Sequence, residues 1–231
     1  MPVDDSRDAY RQFHRERHAT LLDVLARHVP AKVHRCLDIG GGGDIGGLGA
    51  VVRERFAEEL HAVDLGDDVE RARANGILAE RCDIDKEILP YEDDFFDLVV
   101  FCSVIEHLYN PHWAMHEISR VVKPGGLFVV EAPNAVALGR RIDALLGRNP
   151  FAQFHRYNFF ESKAFIVHCS VFYTAEEVAE WLSPRFVIAE TRYAMHAPLV
   201  SAPKRLVRAI AARLNPRLRD CFFVVARKRQ D

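Results

Sequence analysis

The chain predicts an α/β fold, a mostly parallel sheet with helices on both of its faces. Three observations lead there. Short apolar runs of strand length alternate with helical patterns along most of the chain. Val33 to Ile39 and Phe96 to Phe101 among them read as buried strands of a parallel sheet. The first of them breaks into the glycine-rich stretch CLDIGGGGDIGGLG, Cys36 to Gly49, before a helical pattern resumes. Glycines there let the backbone approach a ligand, and the following helix offers unpaired N–H groups and the positive end of its dipole.

Length and composition set bounds on the rest. The 231 residues suit one domain, 1–231, with an N-terminal helix at about 6–29 and an insertion at about 135–173. Hydrophobic residues at 49% and charged residues at 28% are enough for a proper core. The net charge of −2 makes no electrostatic case for nucleic acid, and no nucleic-acid partner is expected. Five cysteines lie scattered with no C-x-x-C, a pattern of reduced, buried thiols. Residues 1–20 are highly charged, with no signal peptide or spanning helix, so a soluble cytoplasmic protein is expected.

Taken in order, residues 6–29 carry Tyr10, Phe13, Leu21, Leu25 and Val29 at helical spacing, and Pro30 ends the pattern. This is a helix packed on the sheet or a lid over the ligand. Val33 to Ile39 reads as the first strand, with Asp38 near its end. Leu48 to Glu59 reads as helix, and Leu60 to Asp64 as a second strand ending in an acid. Ligands in such sheets sit at the carboxyl ends of the strands, so Asp64 points where a ribose would lie. Asp67 to Ala74 suits a helix and Ile77 to Cys82 a third strand, followed by Asp83 and Ile84. Phe96 to Phe101 is a fourth, closing with Ser103 and Glu106–His107–Leu108. After a helix end, Lys123–Pro124–Gly125–Gly126 turns into a fifth strand that runs to Asn134.

Two fingerprints overlap in the glycine stretch. Gly41, Gly43 and Gly46 satisfy G-x-G-x-x-G, with Asp64 about 20 residues on. Asp38, Gly40 and Gly42 give D-x-G-x-G instead. That second pattern, with Asp64, Asp83, the Phe96–Asp97 strand entry, E-H-L and K-P-G-G in order, resembles the class I S-adenosylmethionine (SAM) methyltransferases, of the type 11/23-like small-molecule group. The resemblance covers roughly residues 33–134 and departs from the family at Asp44, where another glycine is usual. It implies a Rossmann-like seven-stranded sheet whose last strand is antiparallel. It also implies S-adenosyl-L-methionine as cofactor, contacted by Asp38, Gly40, Gly42, Asp64, Leu65, Asp83, Ile84 and Ser103. In the family the acid matching Asp83 meets the adenine amino group and its apolar neighbour, here Ile84, packs on the ring.

Beyond the fifth strand the rhythm changes. Ala135 to Leu146 is helical, with Arg140 and Arg141 exposed, and Gly147 to Pro150 breaks it. An aromatic-rich segment follows and would hang over the carboxyl edge of the sheet, where an acceptor enters. LLGRNPF and then His168 with Phe172 to Thr174 are similar to methyltransferases associated with surface polysaccharides and sugar-lipids. A small-molecule, sugar or lipid-linked acceptor, methylated at oxygen, is therefore expected. Thr174 and Glu177 form a capping box opening a helix to Leu182. Phe186 to Tyr193 and Cys221 to Ala226 are the sixth and seventh strands. Between them, Lys204 to Arg219 holds no acid, with Leu206, Ile210 and Leu214 on one face. It is a helix packed on the sheet edge or a peripheral contact with anionic lipid.

Other chemistries fit less well. A nicotinamide oxidoreductase would need a Y-x-x-x-K pair or its equivalent, and no tyrosine here has one. A non-catalytic SAM-binding module would share the same cradle. His112 and His116 stand i, i+4 beside Glu117, but spacing supplies no third ligand, so no metal is expected. An alcohol acceptor benefits from a base, and His107 and His168 are the candidates, with Glu106 able to orient His107 and His155 a weaker third.

Overall fold

A computed structural model describes residues 4–41, 48–66, 68–151, 171–195 and 209–230, with backbone alone for 4–15 and 68. A long helix, α1 (Asp4–His28), precedes β1 (Val33–Ile39). The βα rhythm then runs α2 (Leu48–Phe56), β2 (Ala57–Asp64), α3 (Asp68–Ala74), β3 (Leu78–Arg81) and β4 (Phe96–Cys102). A single 3-10 turn, Ile105–His107, leads to α4 (Pro111–Val121) and β5 (Val122–Pro133). The chain closes with α5 (Leu138–Leu145), α6 (Ala175–Leu182), β6 (Phe186–Ala194) and β7 (Cys221–Lys228).

The strands form one seven-stranded sheet in the order β3-β2-β1-β4-β5-β7-β6. β1 to β5 run parallel to one another, and β7 runs antiparallel between β5 and β6. The order reverses between β1 and β4. In open sheets of this kind that switch point opens the crevice in which a ligand sits.

Strand alternation feeds two apolar layers. β4 sends Val99 and Phe101 to one face, with Phe128, Val130, Ile118, Val178 and Leu182. Its Leu98 and Val100 point to the other, against Leu21, Leu25, Val52, Phe56 and Val69 of α1, α2 and α3. α1 thus packs on the sheet through the apolar positions nearest its end.

The structure departs from expectation in several places. Residues 57–59 join β2 rather than α2, because Ala57 and Glu59 pair in parallel with Val33 and Arg35. The Pro-Gly-Gly turn lies within β5. The ladder jumps from Phe96↔Val122 to Leu98↔Leu127, and Gly125 takes a φ of 76° inside that bulge. Arg140, expected on the surface, is buried. Its guanidinium donates to the carbonyl of Asn134 and lies 4.7 Å from the Phe172 ring centroid. Arg141 is exposed as expected.

Of the basic segment, residues 204–208 lie outside the described residues. Residues 209–214 are helical, but Ala212 faces inward while Ile210 and Leu214 are exposed. Arg217 pairs with Glu176 at 3.0 Å and Arg219 donates to the Tyr193 carbonyl at 2.7 Å. Among the described residues, no helix is long and apolar enough to cross a membrane. Cys36, Cys82, Cys102 and Cys221 are in no disulfide.

Candidate functional site

The carboxyl edge of the parallel strands carries one polar group per strand. Asp38 is next to last in β1 and Asp64 is last in β2. Asp83 stands two residues past β3, Ser103 one past β4, and Glu131 lies two residues before the end of β5.

The turn after β1 is built for close approach. Gly40 has a φ of 77°, in the left-handed region, and its N–H donates to the Val63 carbonyl at 2.8 Å. A Cβ at position 40 would stand 2.5 Å from Cγ2 of Val104, in the loop after β4. A Cβ on Gly41 would stand 2.2 Å from Oδ2 of Asp38. The turn therefore folds back over the Asp38 carboxylate and against the β4 loop, with no room for a side chain on either glycine. Gly42 lies outside the described residues.

On the β2 and β3 side, Oδ1 of Asp64 accepts the Gly66 N–H at 3.1 Å, which orients the carboxylate at the strand tip. Leu65 beside it is 56% exposed, unusual for a leucine and fit for a flat apolar ligand surface. Asp83 is held in its own loop. Oδ1 accepts the Asp85 N–H at 3.1 Å, and Oδ2 pairs with Lys86 at 2.7 Å. Ile84 is buried in the same apolar layer as Ile39 and Ile105.

The β4–β5 side holds the most unusual chemistry. Ser103 has a φ of 54°, rare for a residue with a side chain. Its hydroxyl donates to Oε2 of Glu131 at 2.8 Å and accepts from Nη1 of Arg17 at 2.5 Å. Arg17 reaches the sheet edge from α1, 86 residues away in sequence. Glu131 is 2% exposed, and burial raises its pKa against the pull of Arg17 and of the Ser103 hydrogen bond. Glu106 is 3% exposed, with its pKa pushed up to about 8 by burial first and then by the nearby charge of Glu131.

Asn134 ties off the end of β5 and is wholly buried. Its Nδ2 donates to the carbonyls of Arg217 and Arg219, both at 2.8 Å, and its Oδ1 accepts the Val136 N–H at 3.2 Å. This knot joins β5, the start of α5 and the approach to β7.

The fold brings Asp38, Gly40, Asp64, Leu65, Asp83, Ser103 and His107 to one edge of the sheet. His107 is half-buried in the turn after β4. His155 and His168 lie outside the described residues. His112 and His116 serve packing, with ring centroids 4.5 Å from Trp181 and 5.8 Å from Trp113 respectively. Among the described residues, no group of three or more His, Cys, Asp or Glu could hold a metal. Sequence reasoning missed Arg17, Glu131 and Arg140. Glu131 had a signal, an acid inside the apolar run LFVVEAP, whereas Arg17 and Arg140 had none.

Comparison with known proteins bears on the family and the fold. Residues 37–130 match the family model described as a methyltransferase domain. Among curated proteins, the chain is 34% identical to the malonyl-[acyl-carrier protein] O-methyltransferase of Halorhodospira halophila, over 58% of this chain and 47% of that protein. It is 33% identical to a sterol 4-C-methyltransferase of Caenorhabditis elegans, over 47% of this chain and 35% of that one. The chain thus spans about half the length, or less, of these curated relatives. Among solved structures, it aligns with a chain of the complex between the Haloferax volcanii Trm112 methyltransferase activator and a candidate methyltransferase. The TM-score is 0.67 at 20% identity, covering 99% of this chain and 96% of that one, a likeness of fold. Residues 37–130 thus resemble, in sequence and in fold, the class I methyltransferases, which use S-adenosyl-L-methionine on a Rossmann-like sheet.

Proposed function

We propose that this protein transfers a methyl group from SAM to a small-molecule acceptor, at oxygen. The observation that carries the reading is the row of polar groups along a single sheet edge, next to a turn with no room for a Cβ on Gly40 or Gly41. Asp38, Gly40 and Ser103 would hold the amino-acid end of the cofactor, with Gly42 completing the turn. Asp64 would accept from the ribose hydroxyls, and Leu65, Asp83 and Ile84 would border the base. A carboxylate suits the ribose because it accepts two hydroxyl donors at once. When bound, SAM supplies an electrophilic methyl on a sulfonium, and the chain's part is alignment and exclusion of water.

The acceptor side lies across β4 and β5, rimmed by Ser103, Glu106, His107, Asn134 and Arg140. The relatives are named for malonyl-[acyl-carrier protein] and a sterol, which supports an organic acceptor rather than a nucleic acid. The resemblance of residues 145–151 to sugar-lipid methyltransferases favours a sugar or lipid-linked one. Exposed Ile210 and Leu214 beside basic residues also support a peripheral contact with anionic lipid, in the cytoplasm. Salt-sensitive co-sedimentation with anionic vesicles tests that contact, and no sedimentation at low salt refutes it.

The function itself is tested by incubating the protein with methyl-labelled SAM and a fractionated cell extract, then identifying the labelled product. A labelled ether or ester supports the reading. Binding of SAM with no label transferred to any fraction would make the protein a non-catalytic SAM-binding module.

A further inference from the structure

Glu106 is the group at this edge for which the fold itself gives no use. It sits in the turn after β4 and is 3% exposed, yet among the described residues its Oε2 has no hydrogen-bond partner. Buried polar atoms are nearly always bonded, because a bare one forfeits its hydration with nothing in return. An acid kept for structure alone would be paired, or replaced by an apolar residue of similar size.

Its surroundings are charged on every side. Glu131 faces it from β5, Arg17 from α1 and Arg140 from α5. Cys102 of β4 and Tyr173, before α6, lie within the same electrostatic reach. Both arginines have other partners. Arg17 donates to Ser103, and Arg140 donates to the Asn134 carbonyl and lies over Phe172. Neither bonds Oε2 of Glu106. The carboxyl is thus walled from bulk water, beside the strand ends where an acceptor enters, with one oxygen left over.

Resting on the methyl-transfer reading, we infer that Oε2 of Glu106, rather than the imidazole of His107, takes the acceptor's hydroxyl proton, with Glu131 as its positioning residue. As the acceptor oxygen's lone pair forms the new O–CH₃ bond, the S–CH₃ bond breaks and its electron pair stays on sulfur. The O–H proton passes to Glu106, so the carboxylate and the sulfonium lose their charges together. The proton then leaves to solvent. Burial and the charge of Glu131 make Glu106 a stronger base than an exposed glutamate, while Arg17 and Arg140 oppose that shift. A base that titrates near the working pH is well matched to this task.

The test uses the full chain, methyl-labelled SAM and a total small-molecule and lipid extract, from about pH 6 to about pH 9.5. Calorimetric SAM affinity and pH-difference infrared spectra accompany it. Wild-type label transfer should climb about tenfold per pH unit and level near about pH 8, where a protonated-carboxyl band disappears. Glu106→Gln should lose that band and about 10²–10⁴-fold of transfer, with SAM affinity held within about twofold. Glu131→Gln removes a like charge, so it should move the rise to lower pH without abolishing transfer. Wild-type transfer and an unchanged pH profile in Glu106→Gln would overturn the inference. So would an unmoved profile in Glu131→Gln, which decides the matter if Glu106→Gln does not fold. A rise near about pH 6.5, where an ordinary imidazole titrates, would hand the role to His107. If the wild type binds SAM but transfers no label, the methyl-transfer reading itself fails and takes this inference with it.

Discussion

Ser103 and Glu131 are joined twice across the ends of β4 and β5. The Ser103 N–H donates to the Glu131 carbonyl at 3.0 Å, and the Ser103 hydroxyl donates to the Glu131 carboxylate at 2.8 Å. The second bond holds a buried acid at the carboxyl edge of the sheet, and Arg17 holds the same hydroxyl from α1. A helix from the start of the chain is in this way tied to the site by one side chain.

Removing that hydroxyl leaves a buried carboxylate short of a donor. Ser103→Ala should therefore cost about 1–3 kcal/mol of stability, read from urea unfolding. Ser103→Gly loses the same hydroxyl but relieves the strain of a positive φ, about 1–2 kcal/mol. That exceeds the entropic cost of glycine, about 0.5–1 kcal/mol. Ser103→Gly should accordingly have the higher urea midpoint of the two, and the reverse order would show that the backbone there is unstrained.

Gly40 combines a left-handed φ with a contact that a methyl group would violate. Gly40→Ala should destabilise the turn and weaken SAM binding together. Adding Val104→Ala removes the clashing Cγ2 and should recover part of the loss. The strain of about 1–2 kcal/mol from φ should remain. Full recovery in the double variant would mean that sterics alone, not backbone conformation, demand glycine.

Asp97 opens β4 at the end of the sheet opposite the site. Its Oδ2 accepts the Arg35 N–H at 2.8 Å and its Oδ1 pairs with Lys123 at 2.6 Å. Burial alone would raise its pKa, but Lys123 and the Arg35 N–H win and hold it below the usual carboxylate range. A lowered folded-state pKa stabilises above the unfolded value and is lost as pH falls through the folded one. Stability should thus drop in acid, below about pH 4, and Asp97→Asn should flatten that drop while lowering stability at neutral pH. An unchanged acid limb in Asp97→Asn would assign the acid sensitivity to other carboxylates.

Much of this architecture was legible in the chain because the strands are covered on both faces. Val33 to Ile39 and Phe96 to Phe101 read as strands, and the Thr174–Glu177 capping box is present with both of its hydrogen bonds. The boundary at Phe56–Ala57 was not legible. Ala57, Glu58, Glu59 and Leu60 are sound helix formers, with no glycine or proline to mark the change, and pairing with β1 overrides their preference. At the site, residues at strand ends could be located by counting, so Asp38, Asp64, Asp83 and Ser103 reached the same edge. Arg17 could not be found that way, since only the packing of α1 brings it to Ser103. Arg140 was misjudged because its position on α5 says nothing of the carbonyl and aromatic ring waiting beneath it.

The central claim is that this edge holds SAM, and calorimetry on the full chain tests it most directly. SAM and S-adenosylhomocysteine should both bind, NAD should not, and Asp64→Ala should weaken SAM binding by about 1.5–3 kcal/mol, the worth of hydrogen bonds to a charged group. Tight NAD binding with none for SAM, or SAM affinity untouched by Asp64→Ala, would contradict it.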